Sequence, residues 1–274
     1  MDYKCIISDL KFPEGPVFDF DGNLWFVEIK GGNLSCWDGK NLTRFDVNGT
    51  PNGAMIDREG NIWFCDSGRG EIRTFSPKNQ KYEIICQQTT DGTRLKRPND
   101  LIFDATGNLL FSDHADGREE PISTFCVLPK GKSQAKVISE GKYFTNGLTL
   151  RSDGKTLIFA ETYRQQLWIG TWDSNRLEIL NERPFAKAGN GPWGPDGMAF
   201  DEEENLYVAV FNESKINIYN KNGELSGYLD CPGSRPTSCA FDPSGKPGLI
   251  VTEADQGQIL SYKIKNKGLP IFYR

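Results

Sequence analysis

Arg97-Pro98-Asn99-Asp100-Leu101-Ile102-Phe103-Asp104-Ala105-Thr106-Gly107-Asn108-Leu109-Leu110-Phe111-Ser112-Asp113 decides how this chain is read. A Pro leads a polar pair into an apolar run, a turn with Gly and Asn follows, and a second apolar run ends on an acid. Outward from this stretch the same order recurs, opening at Pro13-Glu14, Pro51-Asn52, Thr145-Asn146, Pro195-Asp196 and Pro236-Thr237. Successive opening polar residues, from Glu14 to Thr237, lie 38, 47, 47, 50 and 41 residues apart, the period of a propeller blade.

The expected fold is therefore all-β, a six-bladed β-propeller with four antiparallel strands per blade, filling residues 1–274 as a single domain. Blade one reads as Val17-Phe18-Asp19, Leu24-Trp25-Phe26-Val27, Leu34-Ser35-Cys36-Trp37 and Leu42-Thr43-Arg44-Phe45, and the later blades follow the same plan. Blade six shows only three clear runs, while Tyr3 to Ser8 belongs to no repeat. The simplest ring is closed by that N-terminal strand, which leaves no open sheet edge, with the tail Leu269 to Arg274 as the rival for the place. No apolar pattern keeps helical spacing beyond about two turns, so essentially no helix is expected.

The turn between the first two strands recurs as Asp21-Gly22-Asn23, Glu59-Gly60-Asn61, Thr106-Gly107-Asn108, Asp153-Gly154-Lys155 and Ser244-Gly245-Lys246. Its repetition between strands marks hairpin chemistry and argues against a helix-loop-helix calcium loop at Asp19 to Asn23. The 29 glycines fit many short strands joined by tight turns.

A net charge of −5 speaks against a nucleic-acid partner, which needs a basic face, and suits a protein that holds a cation. No run is long and apolar enough to span a bilayer, and Met1 to Ile7 lacks the pattern of a signal peptide, so a cytoplasmic protein is expected. The seven cysteines include no C-x-x-C pair and indicate neither a disulfide framework nor a zinc-thiolate site. Sequons at Asn33, Asn41, Asn48 and Asn212 are then chance matches on turns.

Chain direction places function on one face of the disc. The starts of the innermost strands share it with the residue-rich loops Thr89 to Arg97, His114 to Pro121, Tyr163 to Gln166 and Ala186 to Pro195, and the short hairpins occupy the other. At the channel mouth on the loop face stand Glu14, Asn52, Asn99, Asn146, Asp196 and Thr237. Two carboxylates and several amide carbonyls around one axis suit a hard divalent cation, with Ca2+ the natural occupant and Mg2+, Mn2+ or Zn2+ as substitutes. Pro-Asn-Gly and Pro-Asp-Gly also serve as plain turns leading into strands, which suffices for Asn52 and Thr237. Glu is no turn former, so Glu14 has no such reason to be there; Asp196 is intermediate.

Gly189-x-Gly191-x-x-Gly194 leads into a strand and contains Pro192, which discounts a dinucleotide site. His114 is the only histidine, which excludes most triads and multi-histidine metal sites; it reads as a substrate contact or as a solvated loop residue. Trp193 reads as a stacking platform or as packing beneath its loop.

Glu14-Gly15-Pro16, Arg97-Pro98-Asn99-Asp100, Asn146-Gly147-Leu148 with Ser152-Asp153-Gly154-Lys155-Thr156-Leu157, and Pro195-Asp196-Gly197-Met198 together resemble the family of gluconolactonase, regucalcin (senescence marker protein 30) and luciferin-regenerating enzyme. The resemblance runs over nearly the whole chain. It implies one divalent metal in the channel held by Glu14, Asn146 and Asp196, Asn99 contributing to metal or substrate, Asp196 as acid/base and Arg97 as a substrate contact. His114 falls where the chain departs from regucalcin, which carries a carboxylate nearby. The activity implied is metal-dependent opening of a sugar lactone by a monomer or weak dimer acting on a small molecule. Two readings compete: hydrolysis of another ester or a phosphotriester, and a non-catalytic calcium-binding propeller.

Overall fold

A computed structural model describes residues 3–246 and 248–270. Six sheets are arranged as the repeat predicts. Blade one is built from Pro13–Phe18, Leu24–Glu28, Asn33–Trp37 and Leu42–Asp46, in that order from the channel outwards. The other innermost strands are Pro51–Ile56, Pro98–Phe103, Thr145–Leu150, Pro195–Phe200 and Pro236–Phe241. Blade three carries an extra piece, Gln88–Thr89, parallel to its outer strand.

The ring closes with the N-terminal strand. Tyr3–Ile7 runs antiparallel to Gln258–Tyr262, with Tyr3 opposite Tyr262 and Cys5 opposite Leu260. Of the rival tail, Leu269 instead donates its N–H to Phe200 O at 3.0 Å beside blade five, and residues 271–274 lie outside the described residues. The only helical element described is one 3-10 turn, Thr162–Arg164.

Burial explains the pattern of each blade. Innermost strands such as Pro13–Phe18 are covered on both faces, whereas the outermost, such as Leu42–Asp46, meet solvent. Six apolar clusters fill the joints between neighbouring blades. The one holding Leu10, Phe18, Leu24 and Phe26 against Ile250 and Ile259 joins the first blade to the last. Burying a side chain of this size is worth about 1.5–3 kcal/mol, so each joint resists opening.

Two sequence signatures acquire causes. At the hairpin end, Asp57 accepts from the N–H groups of Glu59 and Asn61, from Asn61 Nδ2 and from Trp63 Nε1 at 2.8–3.0 Å. At the loop end, the acid closing the second strand faces the opening Pro or Thr across the sheet in five blades: Glu28, Asp66, Asp113, Glu161 and Glu253. Each accepts backbone N–H groups from the residues just before that opening, as Asp113 does from Lys96 and Arg97, both at 2.8 Å. Blade five has Val210 in this place. These clips fix the loops leading to the channel mouth, because a buried carboxylate is stabilised only when its oxygens are hydrogen-bonded.

Candidate active site

Every innermost strand has a register irregularity within its first residues, for example between Pro51 and Ala54 and between Pro195 and Met198. There, in blades two to six, the polar opening residue leaves the ladder, while Glu14 stays opposite Val27; all six line the channel. The following residue must be small where blades crowd: a Cβ on Gly53 would lie 2.5 Å from Asp100 Oδ1. Glu14, Asn52, Asn99, Asn146, Asp196 and Thr237 all line one cavity of about 380 Å³ at the loop end of the channel. His114 and Trp193 line it too, joined by Phe12, Phe144, Phe211, Arg118 and Arg235.

The polar floor is short of positive charge. Burial raises the Glu14 carboxyl well above the usual carboxylate range, and the charges of Asp196 and Asp100 raise it further. Burial likewise raises Asp196, followed by repulsion from Asp100, with the Asn146 amide and the Gly197 N–H opposing. Asp100 itself is pushed up to about 6 by burial. It was not singled out from the sequence, yet it holds the slot that is Gly in blades one, two, four and five, and that departure was the signal. Its carboxylate accepts the Leu101 N–H at 2.8 Å, and it lines a second cavity of about 390 Å³ towards the hairpin end.

Asn146 is oriented by its neighbours. Its Nδ2 donates to Thr162 Oγ1 at 3.2 Å, and Thr162 in turn donates to Pro195 O at 2.8 Å. Its Oδ1 is left buried without a hydrogen-bond partner. Among the described residues no group of three or more His, Cys, Asp and Glu is disposed to hold a metal ion, so a cation here would need amide oxygens beside carboxylates. An orphaned amide oxygen and two carboxylates whose charged forms are disfavoured by burial and mutual repulsion fit a hard divalent ion.

His114 is no solvated loop residue. It is 6% exposed, its ring stacks on Phe144 at 4.2 Å, and its Nδ1 accepts the Asp116 N–H at 3.0 Å. Burial pushes its pKa down to about 4, with Asp116 opposing and Arg97 and Arg118 assisting. The ring is therefore neutral at pH 7, with its proton on Nε2. Arg97 is exposed and does not line the cavity; its N–H meets Asp113, and its side chain touches the site only through its charge on His114. Trp193 packs among Tyr163, Phe144 and Phe211 at the rim and keeps part of its surface open.

Fold and site together define a six-bladed propeller whose ionisable and orphaned polar groups gather at the loop end of its channel. Residues 12–255 match the family described as the SMP-30/Gluconolactonase/LRE-like region, and the chain belongs to that family. It is 28% identical to diisopropyl-fluorophosphatase of Loligo vulgaris over 97% of this chain and 93% of that protein. It is 29% identical to lactonase drp35 of Staphylococcus haemolyticus over 87% of this chain and 77% of that one. The solved structure of a calcium-binding protein, regucalcin, from Agrobacterium tumefaciens superposes with a TM-score of 0.83 at 19% identity, over 97% and 94% of the two chains. No described helix is long and apolar enough to cross a membrane, and all seven cysteines are free thiols.

Proposed function

We propose that this chain is a divalent-cation-dependent hydrolase that opens a lactone at the loop-end cavity. The observation that carries the reading is the meeting of Glu14, Asp196 and the unpartnered Asn146 Oδ1 in one cavity. Kinship with a lactonase supports it. Glu14, Asn146 and Asp196, with Asn99, would hold the ion; the all-oxygen donor set favours Ca2+, and Mg2+, Mn2+ or Zn2+ are the substitutes to test. When bound, such an ion would polarise the ester carbonyl and favour the ionised forms of the neighbouring carboxylates.

The chain's own groups then divide the work. Asp196, once ionised, takes a proton from the attacking water and hands it to the ring oxygen that departs as the alcohol of the opened acid. His114 offers its Nε2–H as a neutral donor that orients the substrate without adding charge. The sugar lactone implied by the sequence resemblance is one candidate substrate. A phosphorus ester is a second, favoured by the relationship to an enzyme named diisopropyl-fluorophosphatase.

The test is a panel of sugar lactones, simple lactones and a phosphotriester, followed with a pH indicator. Chelated protein is assayed alone and with each of the four cations restored. Chelator-sensitive lactone opening is the expected result; hydrolysis of the phosphotriester alone transfers the site to phosphorus chemistry. Saturable cation binding with every substrate untouched identifies a binding propeller and ends the hydrolase reading.

A further inference from the structure

Among the described residues three arginines, Arg73, Arg151 and Arg235, bury an Nε that finds no hydrogen-bond partner. Two of them are bonded elsewhere. Arg73 donates through Nη1 to Asp66 and to Val47 O, both at 2.8 Å, and Arg151 donates through Nη2 to Lys221 O. Arg235 bonds only through its backbone, its N–H to Glu253 at 3.0 Å and its carbonyl to the Ala254 N–H at 2.9 Å. Those two bonds fix the root of the side chain beside the acid that clips blade six, and Arg235 lines the loop-end cavity. Its guanidinium lies 5.9 Å from the ring of Phe211, which lines the cavity too.

No counter-ion in the structure accounts for this side chain. Asp255 feels the charge of Arg235 from the surface, yet its carboxylate is held by the Ser234 N–H and hydroxyl at 3.2 and 3.0 Å. The charges that raise Glu14 and Asp196 are carboxylates, and neither residue forms an ion pair with Arg235. Arg118, the other arginine of the lining, is already paired with Asp116 at 2.8 Å. An unbonded buried donor costs free energy, and a guanidinium recovers it best from an oxyanion that bridges Nε and a terminal nitrogen in the planar fork. Carboxylate and phosphate have that shape, whereas a hydroxyl fills one arm of the fork only.

We infer that Arg235 receives a carboxylate or phosphate carried by the substrate away from the ester that opens, so that the cavity prefers an anionic lactone to its neutral counterpart. The inference rests on the hydrolase reading and narrows its substrate. The acidic floor alone would repel such a molecule; a divalent ion held there, together with Arg235, would reverse that sign.

The experiment compares kcat/KM for two matched pairs in the cation-loaded enzyme. D-saccharic acid 1,4-lactone is set against D-glucono-1,4-lactone for a carboxylate, and 6-phosphoglucono-δ-lactone against glucono-δ-lactone for a phosphate. In at least one pair the anionic lactone should lead by about 30-fold, the scale of a hydrogen bond to a charged group, and the larger ratio names the oxyanion. Arg235→Gln should cut that ratio about tenfold or more, chiefly through KM. Arg235→Lys keeps the charge without the fork and should restore part of it. Arg176→Gln, an equal loss of charge at a side chain 69% exposed and outside the cavity, should leave the ratio unchanged. Ratios at or below one in both pairs, or a ratio that Arg235→Gln does not lower, overturn the inference while leaving the hydrolase intact. If no lactone is opened with any cation, the hydrolase reading has failed, and the intact lactones become ligands for isothermal titration. Tighter binding of an anionic lactone than of its neutral match, lost in Arg235→Gln, then supports the oxyanion site, and equal or absent binding overturns it.

Discussion

The two ends of the innermost strands carry the same residue type in opposite circumstances. In blade five Asp196 opens the strand on the loop side and Asp201 follows it on the hairpin side. Asp201 accepts from the N–H groups of Glu203 and Asn205 and from the side-chain amides of Asn205 and Asn266 at 2.8–3.0 Å. Asp196 meets far fewer donors, is buried, and faces the charge of Asp100. A carboxylate saturated by N–H groups is a structural part, whereas one left short of donors becomes a proton carrier or a cation ligand. The number of donors around it sets the difference.

The strongest way to break this contrast is Asp196→Asn. Turnover should fall about 1,000-fold or more while the melting curve keeps its shape, and retention of a tenth of the activity would remove Asp196 from the mechanism. Next in size is the pH response of His114. Its folded pKa of about 4 lies below its ordinary 6.5, so the unfolded chain takes a proton that the folded protein refuses. The stability it contributes is present above pH 6.5 and is lost as pH falls towards 4. The loss amounts to about 3 kcal/mol, and denaturant melts of His114→Gln should lack that part of the slope.

Cation binding comes third. Restoring Ca2+ to chelated protein at a hundredfold excess over Kd should stabilise it by about 2.7 kcal/mol, and Glu14→Gln combined with Asp196→Asn should abolish the shift. Smaller again is Asp104→Ala at the hairpin end. It strips acceptors from Thr106, Asn108 and Trp172 and should cost about 2 kcal/mol in a thermal melt. Asp100→Asn should do the reverse in chelated protein at pH 7. With its carboxyl raised to about 6, Asp100 favours folding least once pH exceeds that value, so the melting temperature should hold or rise slightly. Equal losses from Asp104→Ala and Asp100→Asn would erase the distinction between the two ends.

The fold was legible because each blade repeats the same solution to burying a sheet on both faces. In five blades a turn Asp follows the opening Pro by six residues, as Asp104 follows Pro98, and in five a clip acid follows the opening residue by 15 to 17, as Asp113 does. The convergence of Glu14, Asn99, Asn146 and Asp196 followed from that regularity. Asp100 was harder to see because nothing local gives it a role; its importance comes from Glu14 and Asp196, brought near only by ring closure. The ring contacts of Phe12, Phe144 and Phe211 around the cavity were hidden for a related reason. Phe12, Phe144 and Phe211 lie in connections with no hydrophobic period, and their adjacency depends on blades one, four and five meeting at the axis. Arg97 shows the converse, since its neighbours carry the repeat while Arg97 itself is exposed and is not among the residues lining the cavity.

Closure of the ring also sets a schedule for biosynthesis. Tyr3–Ile7 leaves the ribosome before the other described strands, yet its pairing partner Gln258–Tyr262 is made about 250 residues later, roughly 10–50 s at ordinary elongation rates. Throughout that delay one flank of blade one, with Phe18 and Phe26, has nothing to pack against. Glu14 travels on that waiting blade, so the acidic floor is complete only when the last blade docks.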